Sequence, residues 1–182
     1  MTHTAYDAAG FAKFDLAQGT IQSPEDQALT LIPLDLVASL APTPGLRTTA
    51  ANWGKLQAAP LVNNTGSLNL DDLALSLQTS VSLMGLGNIA IEIYGDALLF
   101  NIKSNVELSG TIKAIIEGFL AGYLNALKPE ASFETASVSL NNNGYRIFAG
   151  NQTAVSSLKS WISDGLSLED ALGRLNRQGG AL

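Results

Sequence analysis

Cysteine is absent from the chain and histidine occurs once, as His3. The first absence excludes disulfides, thiolate zinc sites, iron–sulfur clusters and cysteine nucleophiles. The second leaves a single imidazole in a polar N-terminal stretch that is expected to fray. A histidine-based triad, a multi-histidine metal site and a well-placed haem ligand are therefore not expected. Charge is scarce as well. Charged residues make up 14% of the chain, against about a quarter in an average soluble domain. The formal net charge is −6, which repels phosphate backbones and anionic lipid surfaces. No cluster of Lys and Arg offsets it locally, so nucleic acid is not an expected partner. No run of about 18 apolar residues occurs, so no membrane span is expected. The N-terminus lacks the basic-then-apolar order of a signal peptide. A cytoplasmic protein is the expectation.

What is present is apolar. Hydrophobic residues make up 46% of the 182, enough for one domain, 1–182, with a core of its own. Residues 1–25 are mixed and polar and are expected to be poorly ordered. Pro33 permits a helix that places Leu34, Val37 and Leu40 on one face, and Pro42-Thr43-Pro44-Gly45 stops it. Residues 46–59 read as a weak helix closed by Pro60. Residues 69–84 read as a better one, capped by Ser67 or Asn69 and ended by Gly85 and Gly87. Met84-Gly85-Leu86-Gly87-Asn88 follows a helix and precedes a strand, the reverse of a nucleotide-binding loop, and reads as a C-cap and turn.

Alternation then predicts two strands, 88–94 and 97–103, joined at Gly95-Asp96. Residues 110–128 carry Ile112, Ile116, Phe119, Leu120, Tyr123 and Leu124 at helical spacing, the expected spine of the core. Two more strands, 132–140 and 145–149, flank an Asn-rich turn. One or two helices follow between 153 and 176, with Ser167 and Asp170 spaced as a capping box. The expected class is α+β: a mainly antiparallel four-stranded sheet, in the order helix-β-β-long helix-β-β-helix, with helices on one side and further helices N-terminal to it.

Two glycines stand out. Gly118 and Gly122 lie four apart on the long helix, and each costs about 1 kcal/mol relative to alanine. They open a notch that faces a ligand, a second subunit or a close-packed neighbour. Glu117 sits beside the apolar stripe, either buried or at the solvent boundary. Trp53 and Trp161 each fall in an amphipathic stretch, as core residues or as a cover over a pocket. The other acidic residues show no metal-ligand spacing.

The segment 69–149 resembles the 4-vinyl reductase domain family, whose members are linked to bacteriochlorophyll synthesis or regarded as hydrocarbon-binding domains. The resemblance rests on the element order and on the helix Glu117-Gly118-Phe119-Leu120-Ala121-Gly122-Tyr123-Leu124. Glu134, Ser137 and Tyr145-Arg146 fall where that family often has a glutamate, a first cysteine, and a second cysteine followed by a basic residue. Ser137 and Tyr145 replace both cysteines, and Asn141 replaces a glycine between them, so thiol or metal chemistry is lost here. The family is similar to subunits of vesicle-tethering transport particles, which have a helix-flanked antiparallel sheet and often dimerise. The resemblance implies a non-catalytic domain for a lipid, isoprenoid or tetrapyrrole, acting as a homodimer. It adds Phe119, Tyr123 and Tyr145 to Gly118, Gly122 and Trp53 as candidate ligand contacts. The alternative is an assembly subunit without a small-molecule ligand. No cofactor can be named from the sequence. An enzyme of the reductase kind would need a borrowed cofactor.

Overall fold

The computed structural model describes residues 13–15, 20–22, 28–29, 34–63, 70–94, 97–103, 109–140 and 144–177. They fall into two compact units, Met1–Pro33 and Leu34–Leu182. In the first, three short strands pair antiparallel: β1 (Lys13–Asp15), β2 (Thr20–Gln22) and β3 (Ala28–Leu29). Phe14 lies opposite Ile21, which lies opposite Leu29. The sequence reading does not find these strands, because three residues are too few for alternation to register.

The second unit begins with three helices: α1 (Leu34–Ser39), α2 (Leu46–Asn63) and α3 (Leu70–Leu83). The helix α2 runs through Pro60 rather than stopping before it. At the end of α3 the Leu86 amide donates to the Val81 carbonyl at 3.2 Å and the Gly85 amide to Ser82 at 2.9 Å. Gly85 has φ +70°, the left-handed position that this C-cap requires. The expected caps Ser67 and Asn69 lie outside the described residues, as do the turns at 95–96 and 141–143.

The strands follow as β4 (Asn88–Tyr94) and β5 (Ala97–Lys103). The long helix α4 (Gly110–Leu127) comes next, and its N-terminal Ile112 amide donates to the Ser109 hydroxyl. A single 3-10 turn at Pro129–Ala131 leads into β6 (Glu134–Leu140) and β7 (Gly144–Gly150). The sheet order is β4-β5-β7-β6, antiparallel throughout, so each hairpin joins the other through its second strand. This is the α+β fold that the sequence implies.

Helices cover both faces of this sheet, not one. Ile89, Phe100, Ile102, Tyr145 and Ile147 face α3 and α4 in the larger core cluster. Leu99, Ala136 and Phe148, of the opposite phase and in register across three strands, face two C-terminal helices. These are α5 (Gln152–Ser163) and α6 (Leu168–Arg177), which add Val155, Leu158, Leu172 and Leu175. The physical reason is that the central strands β5 and β7 are apolar in both phases, so neither face can be left to water. Asn151 caps α5, accepting from the Ala154 amide at 2.8 Å, and Ser167 caps α6, accepting from the Asp170 amide at 3.1 Å. Of the capping box predicted at Ser167 and Asp170 the Ser167 half is present, and the Asp170 carboxylate accepts from the Ser167 hydroxyl at 2.7 Å.

Candidate functional site

The helix α4 sends its large side chains into the core and meets α2 main chain to main chain at its glycines. A Cβ placed on Gly122 would collide with the Ala51 carbonyl group, and one on Gly118 with the carbonyl of Arg47 and, at 3.0 Å, with the Ala50 methyl. On α2 itself, a Cβ on Gly54 would meet the Phe119 carbonyl and come within 2.9 Å of the Tyr123 backbone nitrogen. Three glycines on two helices thus let backbone lie on backbone, nearer than the usual 8–10 Å between axes permits with side chains between them. The notch read from the sequence is filled by α2. Close packing on another helix, one of the readings open at Gly118 and Gly122, is what the structure shows.

One flank of this crossing is fastened by Arg47. Its guanidinium reaches the Glu117 carboxylate at 3.3 Å and the Glu134 carboxylate at 3.0 Å. It also donates to the Thr135 carbonyl and hydroxyl oxygens, each at 3.1 Å. Glu117 is anchored from the other side, accepting from the Ser137 amide at 2.8 Å, while the Thr135 hydroxyl donates to the Glu117 carbonyl at 2.9 Å. The side chain of Glu117 is 14% exposed. It lies at the solvent boundary and is paired. The clasp ties α2, α4 and β6 together, and Arg47 lies 87 positions from Glu134 and 88 from Thr135, beyond the reach of any local pattern.

Beside the clasp an open groove of about 570 Å³ follows the α2–α4 seam. Arg47, Thr48, Ala51, Asn52 and Lys55 line it from α2, and Gly118, Ala121, Gly122 and Asn125 from α4. Pro129, Ser132, Phe133 and Glu134 close one side. That side is held in place by Asn125, whose amide accepts from the Phe133 N–H at 2.6 Å and donates to the Phe133 carbonyl at 2.8 Å. Ser132 adopts φ 49°, a left-handed conformation that turns the chain from the 3-10 turn toward β6.

The remaining candidates lie behind the seam. Phe119 and Tyr123 are 0% exposed and belong to the core. The Trp53 ring lies 5.1 Å from that of Phe119, and Phe119 lies 5.8 Å from Tyr123. These distances suit tilted aromatic packing. The Tyr123 hydroxyl donates to Ser76 Oγ at 2.6 Å. Burial pushes the Tyr123 phenol above its ordinary range, and the Ser76 hydrogen bond pulls weakly the other way. Tyr145 sits at the start of β7 in the same core cluster, with the Lys113 ammonium 5.4 Å from its ring centre. Trp161 packs at the second core, under the Arg174 guanidinium at 4.7 Å. The structure thus brings Gly118 and Gly122 to the groove, and Trp53, Phe119 and Tyr123 into one aromatic array. Tyr145 is in the sheet. Sequence reasoning missed Arg47, Lys55, Asn52 and Asn125. The nearest signal was the basic residue at each end of the otherwise charge-free run 47–55.

Among the described residues no group of three His, Asp or Glu could hold a metal ion, and no helix is long and apolar enough to cross a membrane. No protein-family model matches the chain, and no curated protein matches it. A solved structure does match: the crystal structure of the phenol-responsive sensory domain of the transcription activator PoxR with phenol. Its TM-score is 0.55 at 14% identity, covering 78% of this chain and 85% of that one. At that identity the likeness shows a shared fold.

Proposed function

We propose that this chain is a non-catalytic small-molecule-binding domain of the sensory kind, with its ligand in the α2–α4 groove. The groove carries the reading. Its volume of about 570 Å³ falls within the 300–1,000 Å³ of ordinary ligand sites. Its floor is main chain fixed by the glycine crossing, and its walls are held by the Arg47 clasp and the Asn125 bracket. Such a site is organised before a ligand arrives. The neighbour's phenol-bound sensory domain supports the reading through the shared fold. So does the resemblance of segment 69–149 to 4-vinyl reductase domains, which are regarded as hydrocarbon-binding. The mixed lining, with Ala51, Ala121 and Phe133 beside Arg47, Lys55 and Asn52, favours an amphipathic ligand over a plain hydrocarbon.

Native mass spectrometry and thermal shift with a panel of phenols, fatty acids and aromatic amides test this. Asn52 is exposed on the groove wall, so Asn52→Trp fills the groove without entering the core. A ligand that raises the melting temperature of the parent and not of Asn52→Trp supports the site. A panel with no effect on either counts against it.

Self-association is a second reading, favoured by Leu75 at 65% exposure and Ile93, on the edge strand β4, at 56%. Light scattering decides it: a strict monomer at micromolar concentration removes the homodimer.

A further inference from the structure

We infer that the groove selects a small organic monoanion, its carboxylate set against Lys55. The inference rests on the binding reading above and names the ligand class of that site. Arg47, Ala51 and Lys55 recur every four residues along α2, so they share one stripe. Eight residues at about 1.5 Å each put their attachment points roughly 12 Å apart along the helix axis. The two ends differ in charge. At one end Arg47 faces both Glu117 and Glu134, leaving that cluster with one excess negative charge. At the other, Lys55 makes no ion pair or hydrogen bond among the described residues.

An anion entering the groove is thus drawn to Lys55 and repelled from the clasp. Asn52 lines the same wall one turn before Lys55 and supplies a neutral donor. Asn125, though bonded twice to Phe133, keeps one N–H of its amide uncommitted. Between the ends lie Ala51, Ala121 and the glycine floor, which suit an apolar or aromatic body. A second carboxylate at the far end would meet Glu134, so the site discriminates against dianions of matching length.

Benzoate, benzamide and terephthalate serve as probes, titrated into the full chain with amide chemical shifts as readout. Benzoate is expected to shift signals from residues 48–55 and the Asn125 side chain, to bind about tenfold more tightly than benzamide, and to weaken as salt is raised. Terephthalate is expected to bind more weakly than benzoate. Lys55 is exposed, so Lys55→Gln leaves the fold intact; it should weaken benzoate about tenfold, leave benzamide unchanged, and be rescued by Lys55→Arg. If benzamide binds as well as benzoate and Lys55→Gln alters neither, the anion assignment fails while the binding site stands. Terephthalate binding at least as tightly as benzoate overturns the monoanion assignment in the same way. If no probe binds parent or variant, both the assignment and the groove reading are lost.

Discussion

The two faces of α4 solve opposite packing problems. Into the core it offers Ile112, Ile116, Phe119, Leu120 and Tyr123, each at most 1% exposed. Each such side chain is worth roughly 1.5–3 kcal/mol in burial. Toward α2 it offers Gly118 and Gly122, and gains close main-chain approach in place of area. One face holds the domain together. The other sets where α2 lies, and thereby shapes the groove. Stability and site geometry are assigned to different residues of the same eighteen.

The contrast can be broken from either side. Phe119→Ala should have the largest effect, about 3–5 kcal/mol, or a melting temperature lower by roughly 6–20 °C for a chain of this size. Gly122→Leu comes next at about 3 kcal/mol, because α2 must move to admit the side chain. Gly122→Ala should cost less but still destabilise, although alanine favours helix by about 1 kcal/mol. Thermal melts test all three, and a Leu variant as stable as the parent would mean that α2 does not lie on this face. Arg47→Met should cost about 2 kcal/mol, since it leaves the mostly buried Glu117 without its cation. It should also loosen the groove, which is checked by amide shifts at Glu134 and Thr135.

The smallest effect concerns Tyr123. Its folded pKa is raised from 10.0, so the buried phenol stays protonated where the unfolded chain ionises. The sign follows: its contribution is fully present below pH 10 and is lost as pH climbs from there through the folded value. Denaturant melts should show alkaline destabilisation above pH 10 that shrinks in Tyr123→Phe. That variant should otherwise cost about 1 kcal/mol for the lost hydrogen bond to Ser76.

The element order and both hairpins were legible because α4 keeps a helical stripe, β4 alternates cleanly, and turn residues separate the short apolar runs that follow. The second helical layer was not, because nothing in the chain shows that Leu99 and Phe148 share a covered face until their cross-strand pairing is seen. Pro60 was read as a breaker, yet α2 carries on past it. Gly118 and Gly122 announced a close neighbour without naming it. The partner glycine, Gly54, lies in a helix whose own periodicity is weak. The clasp and the groove needed the fold, since Arg47 and Glu134 lie 87 positions apart.

The pairing of β5 with β7 also bears on how the chain reaches this state. Leu98 lies opposite Ala149, so all of α4 and β6 intervene between paired residues. Each hairpin closes locally and quickly, but the central ladder closes only after a long loop has been brought round. The joining of the two hairpins should therefore be the slow event in refolding. Once formed, that ladder is sealed under helices on both sides. Its amides are expected to be the last to exchange with deuterium, at the free energy of global opening.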